Sequence, residues 1–406
     1  MCAQRVVITG MGAVSPFGEG VATLADNVAA NACAITSLPE GSIPGMTSRV
    51  VARVPDVRAK RIPRELRRSM SPMSIFACLA AWEALEQAGL APDAELVARA
   101  GVALGSTLGS PESLHQFFAA LLCEHSLDEV RSTTFFKVMS HSVAANVAQA
   151  CRCQGRTLAP SAACATGLVG VALGYEAIAA GRETLMFCGG ADEFHLLVAA
   201  TFERLGAAST ATEPEQASLP FDNNRCGIVC AEGAGVLLLE SLESAQKRGA
   251  PILAEVLGCA MTSSPSSIAH PDRTLIGACM QSAVRDAGLV PQDIAYVNAH
   301  ATATEFGDMA EGQAIADVFG NNTPVSSLKG HMGHAMAASG ALEGILCVEM
   351  LRRSVYFPTR GLRQPDARCG DVRHVCAPMP ATGGPILKNS FALGGVNCSV
   401  VFGKYA

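Results

Sequence analysis

A cysteine at the corner of a tight turn is the first residue of this chain with chemistry to offer. Cys164 lies in Pro160–Gly167 (PSAACATG), where small side chains let a strand turn sharply into a helix and let a substrate come close. The unsatisfied amides at a helix N-terminus carry partial positive charge, so this placement predicts a thiol with a depressed pKa, a nucleophile. His300, in Tyr296–Asp308 (YVNAHATATEFGD), ends an apparent strand, where a neutral imidazole could polarise a carbonyl or stabilise an enolate. Thr302 and Thr304 alternate after it, spaced to hydrogen-bond an amide-bearing substrate arm. Lys329 and His334 share Ser326–Gly340 (SSLKGHMGHAMAASG), with Glu343 in the helix that follows. The lysine can pair with a carboxylate, and the second imidazole offers another donor near a carbonyl. In Asn389–Asn397 (NSFALGGVN), Gly394 and Gly395 follow Leu393, so backbone amides there can approach a substrate oxygen.

Each residue taken singly has a plainer reading. Cys164 is one of 16 cysteines and would serve as a small buried hydrophobe. A strand-end histidine is commonly structural, and Gly394-Gly395 would serve as an ordinary turn before a strand at Ser399–Phe402. Other chemistries fit less well. His331 and His334 are spaced i, i+3, as zinc ligands can be, but HExxH and paired CxxC are both missing: Cys151 and Cys153 form an isolated CxC, and Cys226 and Cys230 have no second pair. Gly10-Met11-Gly12 opens like a dinucleotide loop, yet Ser15 stands where the third glycine belongs, and there is no Walker loop or GxSxG elbow. The expectation is no metal and no nucleotide cofactor.

These residues need a scaffold, and 406 residues suffice for two or three structural units. With 49% hydrophobic against 16% charged residues, burial competes easily with chain entropy, which excludes a disordered chain. A net charge of −6 argues against nucleic-acid binding through global positive charge, and no apolar run is long enough for a membrane span. Dispersed cysteines and a start (MCAQRVVITG) without a basic-then-apolar leader point to a reduced, cytoplasmic setting. Arg5–Thr9, Arg182–Cys188 and Gly235–Glu240 read as strands, and Ser74–Gly89 as a helix stopped by glycine, so strands alternate with helices in an α/β fold. There is also a repeat: ALEQAGLAP at 84–92 returns as AVRDAGLVP at 283–291. Thr157–Ala163 leads through Cys164 into a helix at Leu168–Ala180, as Pro324–Leu328 leads through His334 into Ala341–Leu351. Two related α/β halves are expected, residues 1–250 carrying the cysteine and 251–406 carrying both histidines and the lysine.

The motifs VVITGMGAVSPFG, SAACATG, FCGGADE, PFDNNRCGIVCAEGAG, VNAHATATEFGD, LKGHMGH and NSFALGGVN occur in this order along nearly the whole chain. In them the sequence resembles the β-ketoacyl-acyl-carrier-protein synthases of the thiolase fold, of the elongating type I/II kind. The resemblance implies two duplicated halves in a five-layer αβαβα sandwich and a decarboxylative condensation of an acyl thioester with malonyl carrier protein. It makes Cys164 the acyl acceptor, places His300 and His334 beside the malonyl thioester, and gives Lys329 with Glu343 the local electrostatics. It assigns the amides of Cys164 and Leu393 to an oxyanion hole, Thr302 and Thr304 to the pantetheine arm, and Leu108, Phe135, Phe136 and Phe202 to the acyl pocket, partly at a dimer interface. Substrates would arrive on the phosphopantetheine of acyl carrier protein, with no redox cofactor or metal. Asp56–Arg68 (DVRAKRIPRELRR) holds six Lys/Arg against two carboxylates, and Arg64, Arg67 and Arg68 would dock the acidic carrier.

The chain also departs from the family pattern. ALGG replaces GFGG, Ile228 follows Arg225-Cys226-Gly227 in place of a Phe, Ala301 replaces a glycine, and Gly330, His331 and Met332 are unusual. Such changes suit a polyketide or aryl-polyene system as well as fatty-acid elongation, and a homodimer as well as a heterodimer with a chain-length-factor homologue. Two alternatives are a silent chain-length partner, which would typically lack the nucleophile, and a coenzyme A-dependent thiolase, which generally uses a second cysteine and one histidine.

Overall fold

The computed structural model describes residues 4–39, 45–128 and 130–405. Ten strands carry the architecture: β1 (Val6–Ser15), β2 (Gly101–Gly105), β3 (Thr157–Leu158), β4 (Leu185–Asp192) and β5 (Gly233–Ser241), then β6 (Ala254–Ser263), β7 (Tyr296–Asn298), β8 (Pro324–Ser326), β9 (Ile386–Phe391) and β10 (Val396–Gly403). The first five lie in the order β3-β2-β4-β5-β1 and the second five in the order β8-β7-β9-β10-β6. The pairing senses match too: β2 runs parallel to β3 and β4, and β7 parallel to β8 and β9, while β4/β5 and β5/β1 are antiparallel, as are β9/β10 and β10/β6. The repeat read from short motifs is thus a repeat of topology. The two sheets join where Val6, Val7 and Ile8 of β1 pair with Val256, Glu255 and Ala254 of β6, giving one continuous sheet.

Helices form the remaining layers. Helix α1 (Pro72–Gln87) covers the outer face of the first sheet, and α3 (Arg273–Asp286) with α4 (Glu305–Phe319) the outer face of the second. Between the sheets run α2 (Thr166–Ala179) and α5 (Ser339–Arg353), each touching strands of both halves. Every residue from Ser339 to Leu351 is buried, as a helix enclosed on all sides requires. This gives helix, sheet, helix, sheet, helix: the five layers expected. Packing between α2 and α5 needs glycine, because a Cβ at Gly167 would lie 2.4 Å from the Ala337 oxygen and one at Gly340 would lie 2.7 Å from the Leu168 nitrogen. The two helix starts therefore meet backbone to backbone at the centre of the molecule.

Candidate active site

Both helix starts are built alike. A single 3-10 turn, Ala163–Ala165, leads from the β3 side into α2 and carries Cys164, with Ala163 at φ 44°. The equivalent turn before α5 is Met336–Ala338, with Met336 at φ 48°. Such left-handed non-glycine residues cost on the order of 1–3 kcal/mol each and persist only where the surroundings enforce them. One hydroxyl clamps each corner: Thr166 Oγ1 accepts the Ala162 N–H at 2.8 Å, and Ser339 Oγ accepts the Ala335 N–H at 2.8 Å. Because the corners abut at Gly167 and Gly340, Cys164 on one comes to face His334 beside the other.

The Cys164 sulfur and a ring nitrogen from each of His300 and His334 all lie within 4.8 Å of one another. The two imidazoles stand edge to face, centroids 5.2 Å apart. His334 Nδ1 pairs with Ser339 Oγ at 2.8 Å, whereas His334 Nε2 and His300 Nδ1 are buried without a hydrogen-bond partner among the described residues. Burial, reinforced by the nearby Lys329 charge, holds both histidines well below the usual imidazole pKa, so both rings are neutral at physiological pH.

The expected thiolate is corrected here. Burial pushes the Cys164 thiol up to about 11, against the opposing pull of Lys329 and of the backbone amides of Leu393 and Cys164 itself. Desolvation of a charged sulfur outweighs a helix start at this depth, so the resting group is a thiol. The amides of Leu393 and Cys164 that favour charge on this sulfur are nevertheless the pair a developing oxyanion beside it would meet.

Lys329 Nζ lies 2.7 Å from Glu343 Oε1, and Lys388 Nζ lies 2.7 Å from Glu343 Oε2, the second contact an ion pair without hydrogen-bond alignment. All three side chains are buried. Glu311 fastens the His300 loop, accepting the N–H groups of His300 at 2.8 Å and Ala301 at 2.7 Å. Asp308 similarly accepts from Ala303 (3.1 Å) and Phe221 (2.8 Å). Asp192 at the end of β4 accepts from Ala337 (2.8 Å) and Thr107 (3.0 Å), and burial raises its carboxyl to about 7. Of these supports only Lys329 and Glu343 were anticipated. Lys388, Glu311, Asp308, Asp192 and Ser339 have no motif spacing that announces them; they meet through the sheet order.

A cavity of about 440 Å3 opens onto the three reactive groups, and Thr302, Thr304, Phe202 and Leu393 are among its walls. The two threonine hydroxyls are 3.2 Å apart, and Leu393 is 42% exposed at the mouth. Leu108 instead lines a separate small cavity of about 20 Å3 with Phe194, Val198, Cys230 and Met336. Phe135 and Phe136 lie on Ser132–Val138 and line neither cavity, Phe135 being 69% exposed. Within one chain, then, the four expected pocket residues are not gathered around Cys164. Arg64 and Arg68 are exposed and Arg67 half-buried on a short helix, Arg64–Arg67, its Nε donating to the Ile62 carbonyl at 2.9 Å. His331 is separated from the site chemistry by its partners: its ring nitrogens contact the carbonyls of Ala32 (3.2 Å) and Pro358 (2.9 Å). Glu112, His115 and His195 gather on the surface, but His195 Nδ1 accepts the Leu197 N–H at 3.0 Å. The proton of the neutral ring is thereby placed on Nε2, 3.2 Å from His115 Nδ1, and the residue serves as a helix cap.

Residues 3–245 match the β-ketoacyl synthase N-terminal domain and residues 253–363 the β-ketoacyl synthase C-terminal domain. The chain belongs to the β-ketoacyl synthase family. It is 32% identical to 3-oxoacyl-[acyl-carrier-protein] synthase 1 of Haemophilus influenzae, with 99% of each chain aligned, and 33% identical to nodulation protein E of Rhizobium leguminosarum bv. trifolii over 98% of this chain and 99% of that one. A crystal structure of a β-ketoacyl synthase from Burkholderia phymatum superposes with a TM-score of 0.96 at 38% identity, covering 99% of this chain and 100% of the other. These neighbours agree with the thiolase-like layering described above. Among the described residues, no helix is long and apolar enough to cross a membrane.

Proposed function

We propose that this chain is an acyltransferase of the condensing type, joining an acyl thioester to malonyl carrier protein with loss of carbon dioxide. The observation that carries this reading is the single thiol and two neutral imidazoles within 4.8 Å, opening onto one cavity. Cys164 attacks the acyl thioester while His300, a neutral base within reach, takes its proton and passes it to the departing pantetheine thiolate. The malonyl thioester then loses carbon dioxide, leaving an enolate whose oxygen accepts from an imidazole N–H. The enolate carbon attacks the acyl–Cys164 carbonyl, the amides of Cys164 and Leu393 receive the oxyanion, and collapse expels the Cys164 sulfur, which regains a proton from solvent. The product is longer by two carbons. Lys329, held by Glu343 at 2.7 Å, biases the field against imidazolium formation, in keeping with the direction of both histidine shifts.

No step needs a redox cofactor or a metal. The carrier protein is the partner this chemistry requires, and one structural neighbour supports it, a type II polyketide acyl-carrier protein in complex with its ketosynthase (28% identity, TM-score 0.91); a second, the ishigamide ketosynthase/chain length factor (29%, 0.92), supports pairing with a chain-length-factor homologue. The exposed basic stretch with Arg64, Arg67 and Arg68 suits an acidic carrier, and Thr302 and Thr304 suit the amides of its pantetheine arm. The N-terminal half, residues 1–250, supplies the nucleophile and the C-terminal half, 251–406, the histidines and lysines. Leu108, Phe135 and Phe136, scattered in one chain, would complete an acyl pocket only against a second subunit, identical or a chain-length-factor homologue. Unpaired cysteines throughout the described chain suit a reducing cytoplasm. Incubation with acyl carrier proteins of graded chain length plus malonyl carrier protein, with and without candidate partner subunits, tests the proposal. A β-ketoacyl product two carbons longer is expected; hydrolysis alone, or no consumption of malonyl carrier protein under any pairing, would overturn it.

A further inference from the structure

The two halves use a hydroxyl at the same place, and in one half it does more. Thr166 and Ser339 each open a central helix and each accept the N–H four residues before, at 2.8 Å. Ser339 Oγ has a second partner, His334 Nδ1, also at 2.8 Å, and both residues are 1% exposed, so solvent satisfies neither. One lone pair of the oxygen is taken by the Ala335 N–H, and among the described residues the hydroxyl proton has no acceptor other than Nδ1. If Nδ1 carried the ring proton, the Ser339 O–H and the Nε2 lone pair would both be buried and unpaired. If the hydroxyl donates to Nδ1, the only orphan is an N–H at Nε2. Buried polar groups are paired wherever geometry allows, and the second arrangement leaves fewer unpaired.

We infer that Ser339 is a positioning residue that fixes the proton of His334 on Nε2, the atom left without a protein partner and available to an oxygen of the reacting thioester. This rests on the condensing activity proposed above. The serine supplies to His334 what a carboxylate or carbonyl supplies to other functional imidazoles, except that as a donor it selects the opposite tautomer. It also divides the work of the two rings. His334 enters each cycle as a hydrogen-bond donor, so the proton of Cys164 must leave by way of His300.

The test uses the full-length protein labelled with 15N in its nine histidines, His334→Gln identifying the resonances of His334. Two-bond nitrogen–proton correlations distinguish the tautomers. Wild type and Ser339→Thr should show the Nε2-protonated ring, and Ser339→Ala should lose that preference. In single-turnover assays Ser339→Ala should load Cys164 with acyl chain within about twofold of wild type while the condensation step slows by about 10- to 100-fold, and Ser339→Thr should restore it. A wild-type ring protonated on Nδ1 would overturn the inference. So would Ser339→Ala with unaltered tautomer and condensation rate, or with both half-reactions reduced equally. Wild-type protein that never condenses would sink the proposed activity instead, while the spectrum would still decide the tautomer; if Ser339→Ala fails to fold, the wild-type and Ser339→Thr spectra decide it.

Discussion

Glu343→Gln should be among the most damaging single-atom-scale changes in the interior. Glu343 is fully buried and its two oxygens face two ammonium groups, Lys329 and Lys388, each at 2.7 Å. Burial already lowers the pKa of Lys329 against the pull of this carboxylate and the lesser pull of Glu311, so the charge there is held mainly by Glu343. An isosteric amide leaves two cations without it, and breaking a buried ion pair in this way costs about 3–5 kcal/mol. Lys388→Met leaves Lys329 and Glu343 as a matched pair, so it should cost less, about 1–3 kcal/mol. In the double variant only one cation remains unpaired; the two effects should fall short of additivity by about 0.5–3 kcal/mol. Urea denaturation at fixed protein concentration, with the four proteins compared side by side, gives the ranking. The pH dependence supplies a second readout. A lysine whose folded pKa is depressed binds fewer protons than its unfolded counterpart, so the deficit of Glu343→Gln should shrink as pH rises toward the free lysine value of about 10.4. A Glu343→Gln midpoint indistinguishable from wild type, or strictly additive effects in the double variant, would refute the idea that this carboxylate is shared.

Other outcomes follow from the same geometry. His300 and His334 are neutral in the fold while free histidine titrates near 6.5, so the unfolded chain gains protons that the native chain refuses; stability should fall as pH drops below about 6.5, and His334→Gln should flatten that slope in a series of melting curves. Lys329→Met removes a cation that depresses both rings, so the acid limb of the condensation profile should move to higher pH; an unmoved limb would mean the charge is not felt there. Replacing Arg64, Arg67 and Arg68 together with Ala should slow reactions with carrier protein mainly at low salt, whereas equal slowing at all ionic strengths would argue for a structural role of the short helix. Gly340→Ala places a Cβ 2.7 Å from the Leu168 nitrogen and should destabilise the protein by several kcal/mol or displace Cys164 from His334, seen as lost acyl loading; a fully active, equally stable variant would contradict the close helix contact.

Much of the fold was legible because it is written twice. The strand-to-helix corners at Cys164 and His334 showed in the sequence as short polar or small-residue turns between apolar runs, and they occupy equivalent places in the two sheets. What could not be read was the balance of forces at the corner: a helix start favours thiolate, but the depth of burial that reverses this is a tertiary quantity. Lys388 lies outside every motif, and only the pairing of β7 with β9 brings its strand beside the His300 strand. Glu311 sits eleven residues beyond His300 on α4, a separation that no local period links to the backbone of a strand end. Phe135 and Phe136 were placed by resemblance, and one chain alone leaves them away from the cavity.

The most direct test is intact-mass analysis of the full chain after brief exposure to acyl carrier protein, followed by a chase with malonyl carrier protein. The account predicts a single acyl adduct on the peptide containing Cys164, its disappearance during the chase together with formation of a β-ketoacyl carrier protein two carbons longer, and neither event in Cys164→Ala. An adduct on another residue, or undiminished elongation by Cys164→Ala, would contradict it.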